Sequence, residues 1–295
     1  MLAEIPSVAF RVTNFNAKNM EALQANWPAT SKTLRLATEL LADFGFAGQT
    51  LAADSVLIPV AYYLHRRGLG DSYRDAVAHA SDRAILRGWV LRTLVKSGIW
   101  GSGLDTLLLA IRSAIQESDT DGFPLAEVEA AMAKRGKFLR FTQDEVQDLL
   151  DSGYGDKRTM ALLSLLYPHC DLRNVFHLDH VFPRSQFTAT RQRKAGVPEN
   201  RIEEFHDKAN RLANLQLLEG PVNNAKLAKL PAEWLTERFA IEAERTNYRT
   251  LHDLGDVPAY LPGFGDFYAA RRGRLATKLM KLLVVTGDAV ENGED

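Results

Sequence analysis

The chain of 295 residues carries a single cysteine, Cys170. That excludes an intramolecular disulfide framework, and also any zinc site built from cysteines of one chain. Long apolar runs are missing as well. The longest, residues 56–64, is interrupted by Pro59 and falls far short of the roughly 18 to 20 residues that cross a bilayer. No sign of charge dominates: 36 Lys and Arg stand against 37 Asp and Glu, a formal net charge of −1. Bulk charge therefore does not carry the chain onto nucleic acid, and any such contact must come from a local patch. Glycine (20) and proline (11) are too scarce for a collagen-like or low-complexity chain. The opening MLAEIPSVAF has neither a basic start nor a long apolar stretch, so no secretory signal is expected. Together these absences predict a cytoplasmic globular protein with no membrane partner. The apolar fraction of 46% is enough for a sizeable core in one or two domains.

What is present is mostly helical text. Apolar residues recur at three- and four-residue spacing through Leu34, Leu36, Leu40, Leu41 and Phe44, with Thr30 or Ser31 available as a cap. Further helices are expected over residues 56–67, 73–96, 104–117, 124–134, 143–150 and 157–166. Thr142 and Glu145 have the spacing of a capping box. The texture changes at Pro168. Residues 174–177 and 212–218 read as short strands, with a polar, basic segment and a helix over 198–211 between them. Helices over 223–230, 231–246 and 266–283 follow, and an acidic, flexible tail ends the chain. Trp89, Trp100 and Trp234 sit at helical positions and read as core.

Four of the seven histidines, His169, His177, His180 and His206, fall in the changed region, around the segment FHLDHVFPRS at 176–185. His169 and His206 read as surface or satisfied core residues. On a strand, His177 and Asp179 face one side and His180 the other. A turn at 181–183 can bring Asp179 and His180 to one pocket. Asn223 follows Pro221, where a helix can begin and aim its amide oxygen back at that pocket. A carboxylate and an amide oxygen are hard ligands suited to Mg²⁺ or Mn²⁺. A neutral imidazole with an ordinary pKa of about 6.5 can take a proton from water near pH 7. These residue types suit metal-assisted phosphodiester hydrolysis with one divalent ion.

The ordered run D-H-V-F-P-R-S, then N-L-Q-L-L (214–218), then N-N-A-K (223–226) resembles the ββα-metal, or HNH, nuclease motif. The Asn214-to-Asn223 spacing and the N-x-x-K ending are similar to the HNH domain of type II CRISPR nucleases. Most of the chain, including RGWVLRTLVKSGIWGSGLDTLL at 87–108, more closely resembles the C-terminal helical plus HNH region of GmrSD-type restriction endonucleases, with the sharp motif over roughly 176–235. The resemblance implies a mainly α fold: a multi-helical domain with an embedded small ββα-metal module. It divides the chain into a helical domain (1–168), the HNH module (169–235) and C-terminal helices (236–295) packing on the helical domain.

By the resemblance, His180 is the general base, Asn214 is the central asparagine of the catalytic set, which would hold the hairpin or orient His180, and Asp179 and Asn223 are the metal ligands. Asn224 competes with Asn223, and the N-x-x-K spacing favours Asn223. His177 is left as a third ligand, a phosphate contact or scaffold. No structural zinc is expected, because zinc-stabilised relatives use paired C-x-x-C motifs. The Asp-Gly-Gln-Gln-Arg type sequence of the N-terminal nucleotide-binding domain in GmrSD-type proteins does not occur here, so NTP hydrolysis is not implied.

From Arg184 to Lys229 there are nine basic and five acidic residues, a local excess in an otherwise balanced chain. Arg184, Lys226, Arg271 and Arg272 are the expected phosphate contacts. The function implied is a DNA endonuclease in restriction or anti-phage defence, acting on foreign or modified DNA, with a homodimer or a separate N-terminal NTP-binding domain as partner. The competing reading is a catalytically silent nucleic-acid-binding or helical interaction module that acts only with that partner domain.

Overall fold

A computed structural model describes residues 1–3, 5, 8 and 11–284. The acidic tail lies outside the described residues. The protein is mainly helical, with thirteen α-helices and one two-stranded sheet among those residues. No helix among them is long and apolar enough to cross a membrane. The chain divides into two compact units, Met1–Leu139 and Arg140–Asp295.

The first unit holds α1 (Ala17–Asp43), α2 (Leu57–Arg66), α3 (Ala80–Val95), α4 (Leu104–Glu117) and α5 (Leu125–Ala133). Helix α1 starts well before the expected cap. The side chain of Asn16 accepts the Asn19 N–H, and the helix runs through Pro28. Its first half is almost wholly exposed, so it has no apolar stripe for periodicity to register. The expected 73–96 helix begins only at Ala80, after two short 3₁₀ turns. Trp89 is fully buried there, with Trp100 edge-on at 6.1 Å. Asp82 organises this core by accepting from Tyr63 (2.5 Å), Tyr73 (2.7 Å) and the Phe123 N–H (2.6 Å).

The second unit holds α6 (Gln143–Leu150), α7 (Arg158–Leu166), β1 (Phe176–His180), α8 (Ala189–Lys194), α9 (Ile202–Lys208), β2 (Leu215–Glu219), α10 (Gly220–Lys226), α11 (Pro231–Arg238), α12 (Glu242–Leu251) and α13 (Phe264–Leu283). The capping box of Thr142 and Glu145 forms at the start of α6. The expected 231–246 helix is broken. Phe239 leaves helical geometry and buries its ring between Trp234 and Tyr248, at 6.3 and 5.3 Å.

Strands β1 and β2 pair antiparallel, with Asp179 opposite Gln216 and His177 opposite Leu218, and α10 packs on both. Helix α13 lies against α6, α7 and α9. Its Phe264 gathers the rings of Phe182, Phe187 and Phe205 at 4.6 to 5.3 Å. The division therefore falls at 139/140, not at 168. The expected 169–235 module shares its core with α6, α7 and α13, and α13 packs there because its aromatic stripe is completed by residues next to the strands.

Candidate active site

The period of two in β1 sends Asp179 toward Gln216 and α10, and His180 to the opposite face. Asp179 accepts from Gln216 Nε2 at 2.8 Å and from Lys226 Nζ at 2.7 Å. Lys226 also donates to the His180 carbonyl at 2.5 Å. This ammonium is only 1% exposed. Burial pushes its pKa down, and Asp179 pulls it back up. Such a buried cation requires its carboxylate, so Lys226 sits inside the site and is not the surface phosphate contact expected from sequence.

After His180 the chain turns, and Asn214 holds the turn. Its Oδ1 accepts the Phe182 N–H at 2.9 Å, and its Nδ2 donates to the carbonyls of Phe182 and Ala209 at 3.0 and 2.8 Å. The Val181 N–H reaches the Asn214 carbonyl at 2.7 Å. The Asn214 amide is buried and fully engaged with backbone, so it clamps the loop and presents nothing to a reactant.

His180 Nε2 lies 3.0 Å from Asn210 Oδ1. With that oxygen accepting, Nε2 carries the proton and Nδ1 the lone pair. The ring stacks on Tyr154 at 4.7 Å and 23°. Tyr154 arrives on the loop after α6, which is laced to the 210–212 segment. The Tyr154 N–H donates to the Asn210 carbonyl, and the Leu212 N–H to the Ser152 carbonyl, both at 2.8 Å. Gly153 lets the two segments approach closely, since a Cβ there would sit 3.3 Å from the Asn210 carbonyl oxygen, a tight contact. Burial lowers the His180 pKa, and Lys226 and Arg184 push it the same way, against Asn210 and Asp179. His180 is therefore neutral near pH 7.

The remaining expected residues are scattered. Asn223 is half-buried, one turn before Lys226 on the same face of α10, while Asn224 is exposed. His177 is exposed, with Nε2 against the Gly220 backbone, where a Cβ would approach within 3.2 Å. Arg184 is exposed and makes no ion pair among the described residues. It lines a groove of about 410 Å³ with Tyr154, Asn210, His206 and Arg211.

Arg271 is fully buried. Its guanidinium donates to the carbonyls of Ala213, Leu215 and His252 and to the Tyr167 hydroxyl, at 2.9 to 3.2 Å. It is a structural arginine and cannot reach a phosphate. Arg272 is tied at the surface to Gln147 and Asp151.

No family model and no curated protein matches this chain.

A metal must therefore be judged on the donors themselves. Both side-chain hydrogen bonds to Asp179 end on Oδ2, so Oδ1 is left for another ligand. Asn223, half-buried on α10, carries the amide oxygen that would be the second donor. Two hard oxygen donors fit an ion such as Mg²⁺ or Mn²⁺, which keeps several waters and shares substrate phosphate oxygens. Tyr154, Asn210 and Gln216 were not singled out in the sequence. Only Gln216 had a usable signal, through its place opposite Asp179 once the strands are paired.

Proposed function

We propose that the second unit is a divalent-metal-dependent endonuclease of the ββα-metal type, hydrolysing phosphodiester bonds of DNA. The observation that carries this reading is a neutral, half-buried His180, held by Asn210 and Tyr154, next in sequence to a carboxylate at the end of a strand. The arrangement of β1, β2 and the α10 helix packed on both suits the same reading. Asp179 and Asn223 would hold the ion, which supplies Lewis-acid stabilisation of the charge on the leaving oxygen. His180 takes a proton at Nδ1 from the attacking water while Asn210 keeps the other nitrogen protonated. The water oxygen bonds to phosphorus, and the bond to the leaving oxygen breaks. Arg184, unpaired and beside this histidine, orients the phosphate. The defence role, the foreign or modified DNA target and the partner NTP-binding domain come from the motif resemblance alone.

The test is plasmid cleavage with Mg²⁺ or Mn²⁺. EDTA should abolish it, and His180→Ala should lower the rate about 10²- to 10⁴-fold. Cleavage that survives both would refute the mechanism. One observation favours the second reading, a catalytically silent binding module: the Asp179 carboxylate is already neutralised by Lys226. That reading predicts no cleavage, but salt-dependent DNA binding weakened by Arg184→Ala.

A further inference from the structure

At the end of the sheet away from His180, the second unit forms a half-open cavity of about 370 Å³. This is the size range of small-molecule sites. Its walls are rings: Phe176 from β1, Trp234 from α11, Phe239 from the break after it, Tyr248 from α12, and His252 just beyond. Tyr248 stacks on His252 at 4.2 Å and meets Trp234 at 5.3 Å. His252 is 8% exposed, and its buried Nδ1 has no hydrogen-bond partner among the described residues. The imidazole is neutral, because burial and nearby positive groups depress its pKa. Arg238 belongs to the same wall. It is exposed, lies over Phe239 at 5.4 Å, and has no ion pair among the described residues. Asp171, on the rim, is already paired with Arg173 at 2.6 Å.

We propose that this cavity binds one nucleotide unit, with the base among the rings and its phosphate on Arg238. Flat rings favour a planar heteroaromatic ligand, and a lone guanidinium favours a single phosphate. A free nucleoside monophosphate and a residue turned out of a nucleic-acid strand present this same chemistry. The cavity is wired to the candidate active site. Tyr248 donates to Gln216 Oε1 at 3.2 Å, and the other end of that amide donates to Asp179. Phe176 and Asp179 are three residues apart on one strand, about 10 Å, which is one to two nucleotides along an extended strand. Only this link to Asp179 rests on the nuclease reading; the binding site does not.

The experiment is isothermal titration calorimetry of the full chain in EDTA, so that cleavage plays no part in the readout. One arm uses nucleoside monophosphates, their parent nucleosides and inorganic phosphate; the other uses short single-stranded oligodeoxynucleotides. Saturable binding is expected in at least one arm. A monophosphate-only result identifies a free nucleotide as ligand, and an oligonucleotide-only result a strand residue. Arg238→Ala, a surface change, should weaken the phosphorylated ligand about tenfold and leave the nucleoside unaffected. Tyr248→Leu should weaken both about tenfold through lost stacking, and Tyr248→Phe should not. No saturable heat at millimolar ligand in either arm overturns the proposal. So does binding that neither Arg238→Ala nor Tyr248→Leu alters.

Discussion

His252 makes the stability of the second unit fall in mildly acidic solution, ahead of any carboxylate effect. In the folded chain its pKa is pushed down to about 3 from 6.5, first by burial and then by the positive field of His169, Arg271 and Lys278. Between those values the unfolded chain binds a proton that the folded chain refuses. Stability therefore drops as pH falls through 6.5, and the loss is complete only near 3. Fully expressed, the shift is worth about 5 kcal/mol at about 1.36 kcal/mol per unit. Linkage places about half of it between about pH 7.5 and 4.5. His169 and His180 are shifted in the same direction, so the wild-type slope contains all three, and a variant is needed to isolate one. His252→Phe keeps a ring against Tyr248 and removes the titrating site. Urea titrations across this range should show the wild type losing about 2 to 3 kcal/mol more than the variant. Because the chain has two units, the transition to follow is the one whose fluorescence disappears in Trp234→Phe. Parallel pH profiles for wild type and His252→Phe would refute the reasoning.

The adjacent arginines of α13 should behave oppositely. Arg271→Ala strands four acceptors and is expected to cost about 3 to 5 kcal/mol in urea unfolding, whereas Arg272→Ala should cost less than about 1 kcal/mol. Lys226→Met leaves Asp179 without its ammonium. It should lower stability by about 3 kcal/mol while tightening Mn²⁺ binding measured by electron paramagnetic resonance, since a competing cation is gone. On the nuclease reading, Tyr154→Ala should reduce kcat about tenfold or more by freeing the His180 ring, and Tyr154→Phe should retain most activity. Thr142→Ala, which breaks the capping box of α6, should cost about 1 kcal/mol by the same unfolding assay.

Local chemistry was legible wherever a signal lies within a few residues. Thr142 and Glu145 announce α6, while the strand expected at 174–177 overlaps only the first two residues of β1 (Phe176–His180). The long-range tasks were not. Arg271 was read as a phosphate contact, yet it shares the three- and four-residue stripe of Phe264, Phe267, Tyr268, Leu275 and Leu279, all buried; the periodicity placed it inside, and its charge argued it out. Lys226 reads as a phosphate contact until the pairing with Asp179, 47 residues away, is known. Tyr154 lies 26 residues before His180 with no motif of its own. Only the lacing of its loop to 210–212 brings the two rings together, and no spacing rule reports that. For Asn214 the motif resemblance left two roles, holding the hairpin or orienting His180, and its three backbone bonds favour the first.

The buried guanidinium of Arg271 also bears on how this site could be inherited or engineered. It sits on α13, yet two of its acceptors are the carbonyls on either side of Asn214. A gene fragment ending shortly after α10 would carry every residue of the proposed chemistry and still leave those carbonyls bare. The motif is thus not a cassette that can be cut out or grafted at its sequence boundaries. The smallest transplantable piece begins at α6 and ends with α13, and recombination within it should be tolerated only where the donor supplies both the clamp asparagine and this arginine.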